Sequence, residues 1–260
     1  MAAYAIALFR RGADEARLRF WTRATLLAAL AIHTTLIYAE TAHFGHCLVY
    51  SPFELMTMVA FTVTLTYLIV ELATGERGTG LFFLGIALLF QIASEMVGPP
   101  EAQIVGTPLL EDAVGLHVSA ALFGLTAFTM SAVWGGLYLM QHHRIRANRF
   151  GLLYERLPSL GLMERMSAVA VIVGLIFFSI AIAIAAFWLP NVVPGYYSTL
   201  DPKIVVTALM WLLYAVAIAL KFGGRLDQRR FILLTLCGFG VMLLSLTIVN
   251  LLFTGFHDFQ

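Results

Sequence analysis

The sequence predicts an all-α, polytopic membrane protein with about seven transmembrane helices. Of its 260 residues, 60% are hydrophobic and only 12% are charged, and the mean hydropathy is +0.88. This apolar fraction exceeds that of a soluble globular domain, so most of these side chains are expected to face lipid. A helix of about 20 apolar residues crosses a bilayer, and seven stretches qualify: 21–40, 53–73, 80–97, 115–140, 166–189, 203–221 and 231–254.

The segments between these stretches are short, and no stretch repeats another at a fixed spacing. We therefore expect a cytoplasmic or interfacial N-terminal segment, residues 1–20, followed by one seven-helix membrane domain, residues 21–260. Residues 1–9 are apolar, but their charges follow instead of preceding them and no small-residue cleavage site appears. This pattern argues against a cleaved signal peptide and favours a segment lying in the membrane interface.

The basic residues orient the bundle, because Lys and Arg collect in cytoplasmic loops. If seven spans alternate, every basic residue except Lys203 falls on one side; these are Arg10, Arg11, Arg17, Arg19, Arg23, Arg77, Arg144, Arg146, Arg149, Arg156, Arg165, Lys221, Arg225, Arg229 and Arg230. We predict a cytoplasmic N-terminus and an extracytoplasmic C-terminus, in a multi-pass protein of the inner (cytoplasmic) membrane. No nucleic-acid partner is expected.

Two histidines are predicted at the outer face. His117 falls at the outer end of the fourth span, and His257 falls just beyond the seventh. Two neutral imidazoles facing each other are a common means of holding a haem iron axially, and the aromatic loop 190–202 between them would cover a porphyrin. Asp258 would orient the His257 ring. Spacing alone leaves open a second reading, in which each histidine lies among lipid headgroups or bonds a backbone carbonyl.

His33 lies inside the first predicted span. Polar side chains are costly there and usually face the bundle interior with a partner, which favours a functional role. A structural hydrogen bond between helices is the alternative.

Weaker candidates lie near helix ends. His43, His46 and Cys47 fall close together after the first span, where a metal or a second haem would find ligands, although such pairs are common without metal. Cys47 and Cys237 are at different predicted depths, which argues against a disulfide, and no C-x-x-C-H motif for covalent haem is present.

Four carboxylates, Glu40, Glu54, Glu71 and Glu95, are predicted at headgroup level; Glu95, nearest to the apolar run of its helix, is the candidate for a proton or counter-ion site. The basic segment 141–165 is the longest predicted cytoplasmic loop, where a soluble partner would dock.

Several motifs follow one another in a family-specific order: Gly115–Gly124 continuing to Gly136–Gln141, Leu157–Leu160 with Met163–Arg165, Asp201–Lys203, Trp211–Ala215, and Val249–Leu252 with Gly255–Phe259. This order resembles the cytochrome c assembly superfamily that includes CcsA, CcmC and HemX, over most of residues 30–260. In that family outer histidines flanking a tryptophan-rich loop hold haem. The resemblance implies this role for His117 and His257.

The loop itself departs from the family pattern. The haem-delivering members carry Trp-Gly-x-Tyr-Trp-Ser-Trp-Asp-Pro-Lys, whereas the three tryptophan positions here hold Pro194, Ser198 and Leu200. Losing three indoles removes flat apolar surface for a porphyrin, which favours the HemX-like branch over a full cytochrome c synthase. That branch also has a histidine in its first span, matching His33.

The remaining loop positions stay in register, namely Gly195, Tyr197, Thr199 and Asp201–Lys203. The resemblance implies that Tyr197 and Asp201 are haem-loop residues. Trp188, just before the loop, is a candidate to compensate for the lost indoles.

HemX-like proteins are associated with haem binding and with control of haem synthesis through glutamyl-tRNA reductase. The resemblance thus implies a haem-handling membrane protein that binds non-covalent haem b at its extracytoplasmic face, without catalytic activity of its own. His33 would contact haem arriving through the bilayer. The expected partners are lipid, haem, and either a cytochrome c synthesis protein or glutamyl-tRNA reductase.

Two alternatives remain open. The first is a haem-free scaffold that docks a cytosolic enzyme through 141–165. The second is a b-type haem redox subunit serving quinone, against which counts the lack of a buried histidine pair in the inner half, since His142 and His143 fall at the inner surface.

Overall fold

The computed structural model describes residues 2–9, 15–44, 52–97, 108–148, 151–188 and 202–252. Every regular element in those ranges is helical. The helices are α1 (Ala2–Phe9), α2 (Glu15–Phe44), α3 (Pro52–Thr74), α4 (Gly80–Val97), α5 (Pro108–Arg146), α6 (Leu152–Arg156), α7 (Leu160–Ala183) with a π-helical continuation (Ile184–Trp188), α8 (Pro202–Phe222) and α9 (Gln228–Leu252).

Within the described ranges, six helical segments are long and apolar enough to cross a membrane: Ala16–Ala42, Phe53–Thr74, Gly80–Val97, Val114–Arg146, Leu160–Trp188 and Ile204–Phe222. This confirms the predicted all-α, multi-pass membrane fold. The seventh predicted stretch, 231–254, overlaps α9, which is 25 residues long. The side on which each terminus lies stays a prediction from the basic residues.

Some helices extend beyond the apolar stretches that predicted them. The expectation of a loop at 141–165 is wrong in part, because α5 continues to Arg146 and α6 begins at Leu152. The start of α5 is likewise earlier than the predicted start of the fourth span, since α5 begins at Pro108. Hydropathy marks where a helix meets lipid and not where it ends, since Glu, Arg and Gln are also good helix formers. Arg144 and Arg146 further suit the last turn of α5, where the helix dipole favours positive charge.

The chain forms two compact units. Unit 1 comprises Met1–Ile104 and Met140–Leu162, and therefore contains α1 to α4, α6 and the last turns of α5. Unit 2 comprises Val105–Leu139 and Met163–Gln260, and therefore contains most of α5 together with α7, α8 and α9.

In unit 1, α3 packs against both α2 and α4. Tyr67 and Phe83 are fully buried and stack with their ring centroids 5.7 Å apart. The Ser94 hydroxyl donates to the Phe53 carbonyl at 2.8 Å, which leaves the Thr57 hydroxyl as donor to Ser94 at 2.8 Å. Such hydroxyl bonds join helices where water is absent.

In unit 2, glycines allow α5 and α7 to approach closely. A Cβ on Gly124 would lie 3.2 Å from the Phe178 backbone nitrogen, and one on Gly174 would lie 2.6 Å from the Phe128 ring. Small residues at helix contacts are typical of membrane bundles. Phe128 also stacks on Tyr214 of α8, with centroids 4.1 Å apart and planes 8° apart. This packing fixes the rotation of α5 relative to α7.

The short helix α1 packs on α2, α4 and α6. Its Tyr4 is 2% exposed and fills the space above Gly80, where a Cβ would lie 2.4 Å from the Tyr4 ring. The N-terminal helix α1 is therefore packed into unit 1. The predicted interfacial position of residues 1–9 stays a prediction.

Candidate functional site

His117 lies on α5, near the start of its membrane-spanning part Val114–Arg146. Its ring is half-buried, and its Nδ1 lies 2.9 Å from the Ala181 carbonyl oxygen of α7. A carbonyl oxygen only accepts hydrogen bonds, so Nδ1 is the nitrogen that carries the proton. In the neutral ring Nε2 therefore keeps its lone pair, and within the described part of the chain this nitrogen has no hydrogen-bond partner.

The helix α7 changes its geometry shortly after this contact. Ala181 is small and buried, and the helix changes to π geometry from Ile184 to Trp188, directly after Ala183. Widened π turns are common at functional sites. Phe123 and Phe177 lie further along the same two helices and stack with their ring centroids 5.3 Å apart. Apolar aromatic packing between α5 and α7 thus lies beside the His117 contact.

Trp188 ends the π-helical segment and is half-buried. It therefore belongs to the same helical stretch that supplies the carbonyl for His117. A second tryptophan braces this stretch from α8, since Trp211 Nε1 donates to the Ser179 hydroxyl at 2.8 Å. The sequence identified Trp188 but not this brace.

Several predicted site residues lie outside the described residues. These are His257, Tyr197 and Asp201, together with His46 and Cys47; the side chain of His43 is likewise not described. Their predicted roles stay predictions. Among the described residues, no group of three or more His, Cys, Asp or Glu side chains has the geometry to hold a metal ion. Of the predicted bis-histidine pair, only His117 can be assessed.

His33 is hydrogen-bonded inside unit 1. Its Nε2 lies 3.0 Å from Gln91 Oε1 on α4, and Gln91 Nε2 donates to Glu95 Oε1 at 2.9 Å. The ring also meets Phe61 edge-on, with centroids 6.3 Å apart. His33 therefore has a partner on another helix, which is the bond that the structural alternative predicts, and its role towards haem stays a prediction. The sequence identified Glu95 without the glutamine that joins it to His33.

Glu71 is a residue whose environment sequence reasoning missed. It was predicted at headgroup level, but its side chain is 0% exposed. It accepts a hydrogen bond from the Tyr4 hydroxyl, and its Oε1 lies 3.3 Å from Arg77 Nε and 3.6 Å from Arg23 Nε. α1 therefore covers this carboxylate, whereas its depth in the membrane stays a prediction. The sequence signal for the cluster was Arg77, which follows just after α3.

The cluster of Tyr4, Glu71, Arg77 and Arg23 should make the stability of the protein depend on pH, through Tyr4. Burial raises the pKa of Tyr4, and its hydrogen bond to Glu71 acts in the same direction. A tyrosine whose pKa is raised by folding stabilises the fold fully below its unfolded pKa of about 10 and loses that contribution as the pH rises further. Tyr4→Phe should therefore show a shallower loss of stability above about pH 10 than the parent.

The measurement is the melting temperature of the detergent-purified protein across that range. Tyr38→Phe is the matched control, because Tyr38 is exposed on α2. Parallel curves for the parent and Tyr4→Phe would contradict the assignment.

A second buried ion pair lies in unit 2. Lys221 of α8 pairs with the buried Glu164 of α7, and its ammonium also lies 4.8 Å from the Phe231 ring centroid of α9. Lys221, counted above only as a basic residue near the membrane surface, therefore joins three helices.

The comparisons with known proteins agree with this architecture. The sequence model of the family described as cytochrome C assembly protein matches residues 53–257. A relative named Protein HemX from Brevibacillus brevis is 25% identical over 193 residues, which are 74% of this chain and 70% of that protein. Protein HemX from Bacillus subtilis (strain 168) is 22% identical over 181 residues, which are 69% of this chain and 65% of that protein. No solved structure shows significant similarity.

The resemblance predicted from the motifs is thereby confirmed. The family match extends over well more than half of the chain, from α3 to beyond α9, and it includes the positions of both His117 and His257. This chain belongs to the cytochrome C assembly protein family.

Proposed function

We propose that this protein binds non-covalent haem b near its predicted extracytoplasmic face, with His117 and His257 as axial ligands, and handles haem without catalysing a reaction itself. The observation that carries the proposal is the bond between His117 Nδ1 and the Ala181 carbonyl. Histidines that bind metals usually donate their second ring nitrogen to a carbonyl or carboxylate, which fixes the tautomer and the ring direction. His117 is arranged in this way. The same bond also matches the alternative reading, a histidine that bonds a backbone carbonyl, and the two readings differ in whether Nε2 takes haem iron.

The donor chemistry of the proposed site suits haem, because haem iron needs only two ligands from the protein. The surface around His117 is apolar and aromatic, as a porphyrin requires. Trp188, Tyr197 and Asp201 are the residues proposed to contact the ring beside the two histidines. Bound haem would supply a redox-active iron held by His117 and His257.

The family supports a proposal for the biological role. Members of the cytochrome C assembly family with the HemX name are the relatives found, and the tryptophan-poor loop favours that branch. We place the protein in the cytoplasmic membrane, linked to cytochrome c maturation or to control of haem synthesis, with a cytochrome c synthesis protein or glutamyl-tRNA reductase as its partner. His33, which lies in a different span, is proposed as a second contact for haem that enters through the bilayer.

The test is a haem titration of the detergent-purified protein, followed by absorption spectra of the oxidised and dithionite-reduced forms. A low-spin b-type spectrum at one haem per chain is expected for the parent. A parent that takes up no haem would overturn the proposal and leave the haem-free scaffold. That scaffold predicts capture of the cytosolic enzyme by the segment 141–165, lost when its arginines are replaced.

A further inference from the structure

Three side chains of unit 1 form a hydrogen-bonded chain across two helices. It begins at His33 of α2, passes through Gln91 of α4 and ends at Glu95, one turn further along α4. Glu95 is exposed at the end of α4, whereas the Nδ1 atom of His33 is buried. This series of hydrogen bonds therefore connects the exposed end of α4 to a ring inside a membrane span.

The chemistry of the end groups decides which atom donates in each of these hydrogen bonds. A carboxylate only accepts hydrogen bonds, so Glu95 takes the amide NH₂ of Gln91 and turns the carbonyl of that amide towards His33. This carbonyl also only accepts, so His33 Nε2 carries the proton. Nδ1 is left with a bare lone pair, and it is buried without any hydrogen-bond partner among the described residues.

His33 is thus held in the opposite tautomer from His117. In His117 the proton is on Nδ1 and Nε2 is bare, whereas in His33 the proton is on Nε2 and Nδ1 is bare. Nε2 is the nitrogen remote from Cβ, where a flat porphyrin approaches without meeting the backbone of its own residue. Nδ1 of His33 is adjacent to Cβ and buried. Neither nitrogen of His33 can accept a metalloporphyrin in this arrangement.

We propose that Gln91, oriented by Glu95, caps the His33 ring, so that His33 is a gated contact for haem and not a resident ligand. This inference rests on the haem-binding function proposed above. For iron to bind, Nε2 must leave Gln91 and give up its proton while Nδ1 takes one from water, so the ring stays neutral. The new Nδ1 proton then has no acceptor. Both changes oppose haem binding at His33, and haem therefore stays bound to His117 and His257.

A structural role for the same bonds predicts the opposite result. If Gln91 only holds α2 against α4, its removal loosens the helices and leaves haem affinity unchanged or lower. If Gln91 caps the ring, its removal frees Nε2. A single hydrogen bond of ordinary strength corresponds to a roughly 5- to 10-fold change in affinity, and the change should be an increase.

The binding test starts from His117→Ala, in which the outer pair is broken, and titrates haemin into the purified protein. Adding Gln91→Leu is expected to tighten binding by roughly 5- to 10-fold, and adding His33→Ala to that double variant should return the affinity to its starting value. Gln91→Glu is the matched control, because a carboxylate still accepts from Nε2 and should leave the affinity low. Unchanged or weaker binding in Gln91→Leu would overturn the cap.

A second measurement needs no haem and separates this inference from the proposed function. The ¹⁵N spectrum of histidine-labelled, haem-free parent protein is expected to show His33 protonated at Nε2, with a mixture of tautomers in Glu95→Ala. A His33 signal protonated at Nδ1 would overturn the cap even if the parent binds haem. If the parent binds no haem but Gln91→Leu does, the outer site fails and the cap stands; if neither binds, both fail.

Discussion

His117→Ala is expected to abolish stable haem binding, weakening it by more than roughly 100-fold. Loss of a residue that only orients a metal ligand costs about 10- to 100-fold in affinity, and loss of the ligand itself should cost more. The reason lies in the geometry of this ring. The bond to the Ala181 carbonyl fixes the tautomer and direction of His117, which leaves Nε2 as the bare nitrogen.

The matched control is His143→Ala on the same helix. His143 is exposed near the end of α5, so its removal should leave haem content and spectrum unchanged. His117→Ala protein that binds haem as the parent does, with an unchanged spectrum, would remove His117 from the site. Equal losses in both variants would point to a general defect of α5 instead.

Glu71→Ala is expected to destabilise the protein by about 3 kcal/mol, the low end of the range found when one partner of a buried ion pair is removed, because Arg77 and Arg23 are 20% and 43% exposed. The carboxylate is fully buried and serves Tyr4, Arg77 and Arg23 together. Its loss leaves a buried hydroxyl without an acceptor. Because these partners belong to α1, α2 and the segment after α3, the whole of unit 1 should loosen.

The measurement is unfolding of the detergent-purified protein by a denaturing detergent, followed by circular dichroism. Glu71→Gln keeps an acceptor for Tyr4 and should lose less stability than Glu71→Ala. A Glu71→Ala protein as stable as the parent would contradict the ionic cluster as a source of stability.

The membrane fold was predictable because lipid imposes a composition that is visible in any window of about 20 residues. The helix ends were not. α2 begins at Glu15 and includes Arg17 and Arg19, which are polar but helix-compatible residues outside the apolar stretch. Hydropathy therefore located the six confirmed spans, but it placed the start of α2 too late.

The candidate site was predictable only in part, for a physical reason. His117 and His33 stand out because polar rings are rare inside membrane spans. Their partners do not stand out: the Ala181 contact uses a backbone carbonyl, which carries no sequence signal, and the Gln91 contact depends on how α2 and α4 are rotated. Glu71 was misjudged because its burial depends on α1 folding back over it, which no periodicity in α3 encodes.

The central claim is that two histidines hold haem in this protein, and low-temperature electron paramagnetic resonance of the ferric, haem-loaded protein tests it most directly. The account predicts a low-spin signal of two axial imidazoles in the parent, which disappears or becomes high-spin in both His117→Ala and His257→Ala. A parent signal that is entirely high-spin, or a low-spin signal that survives in either variant, would contradict it.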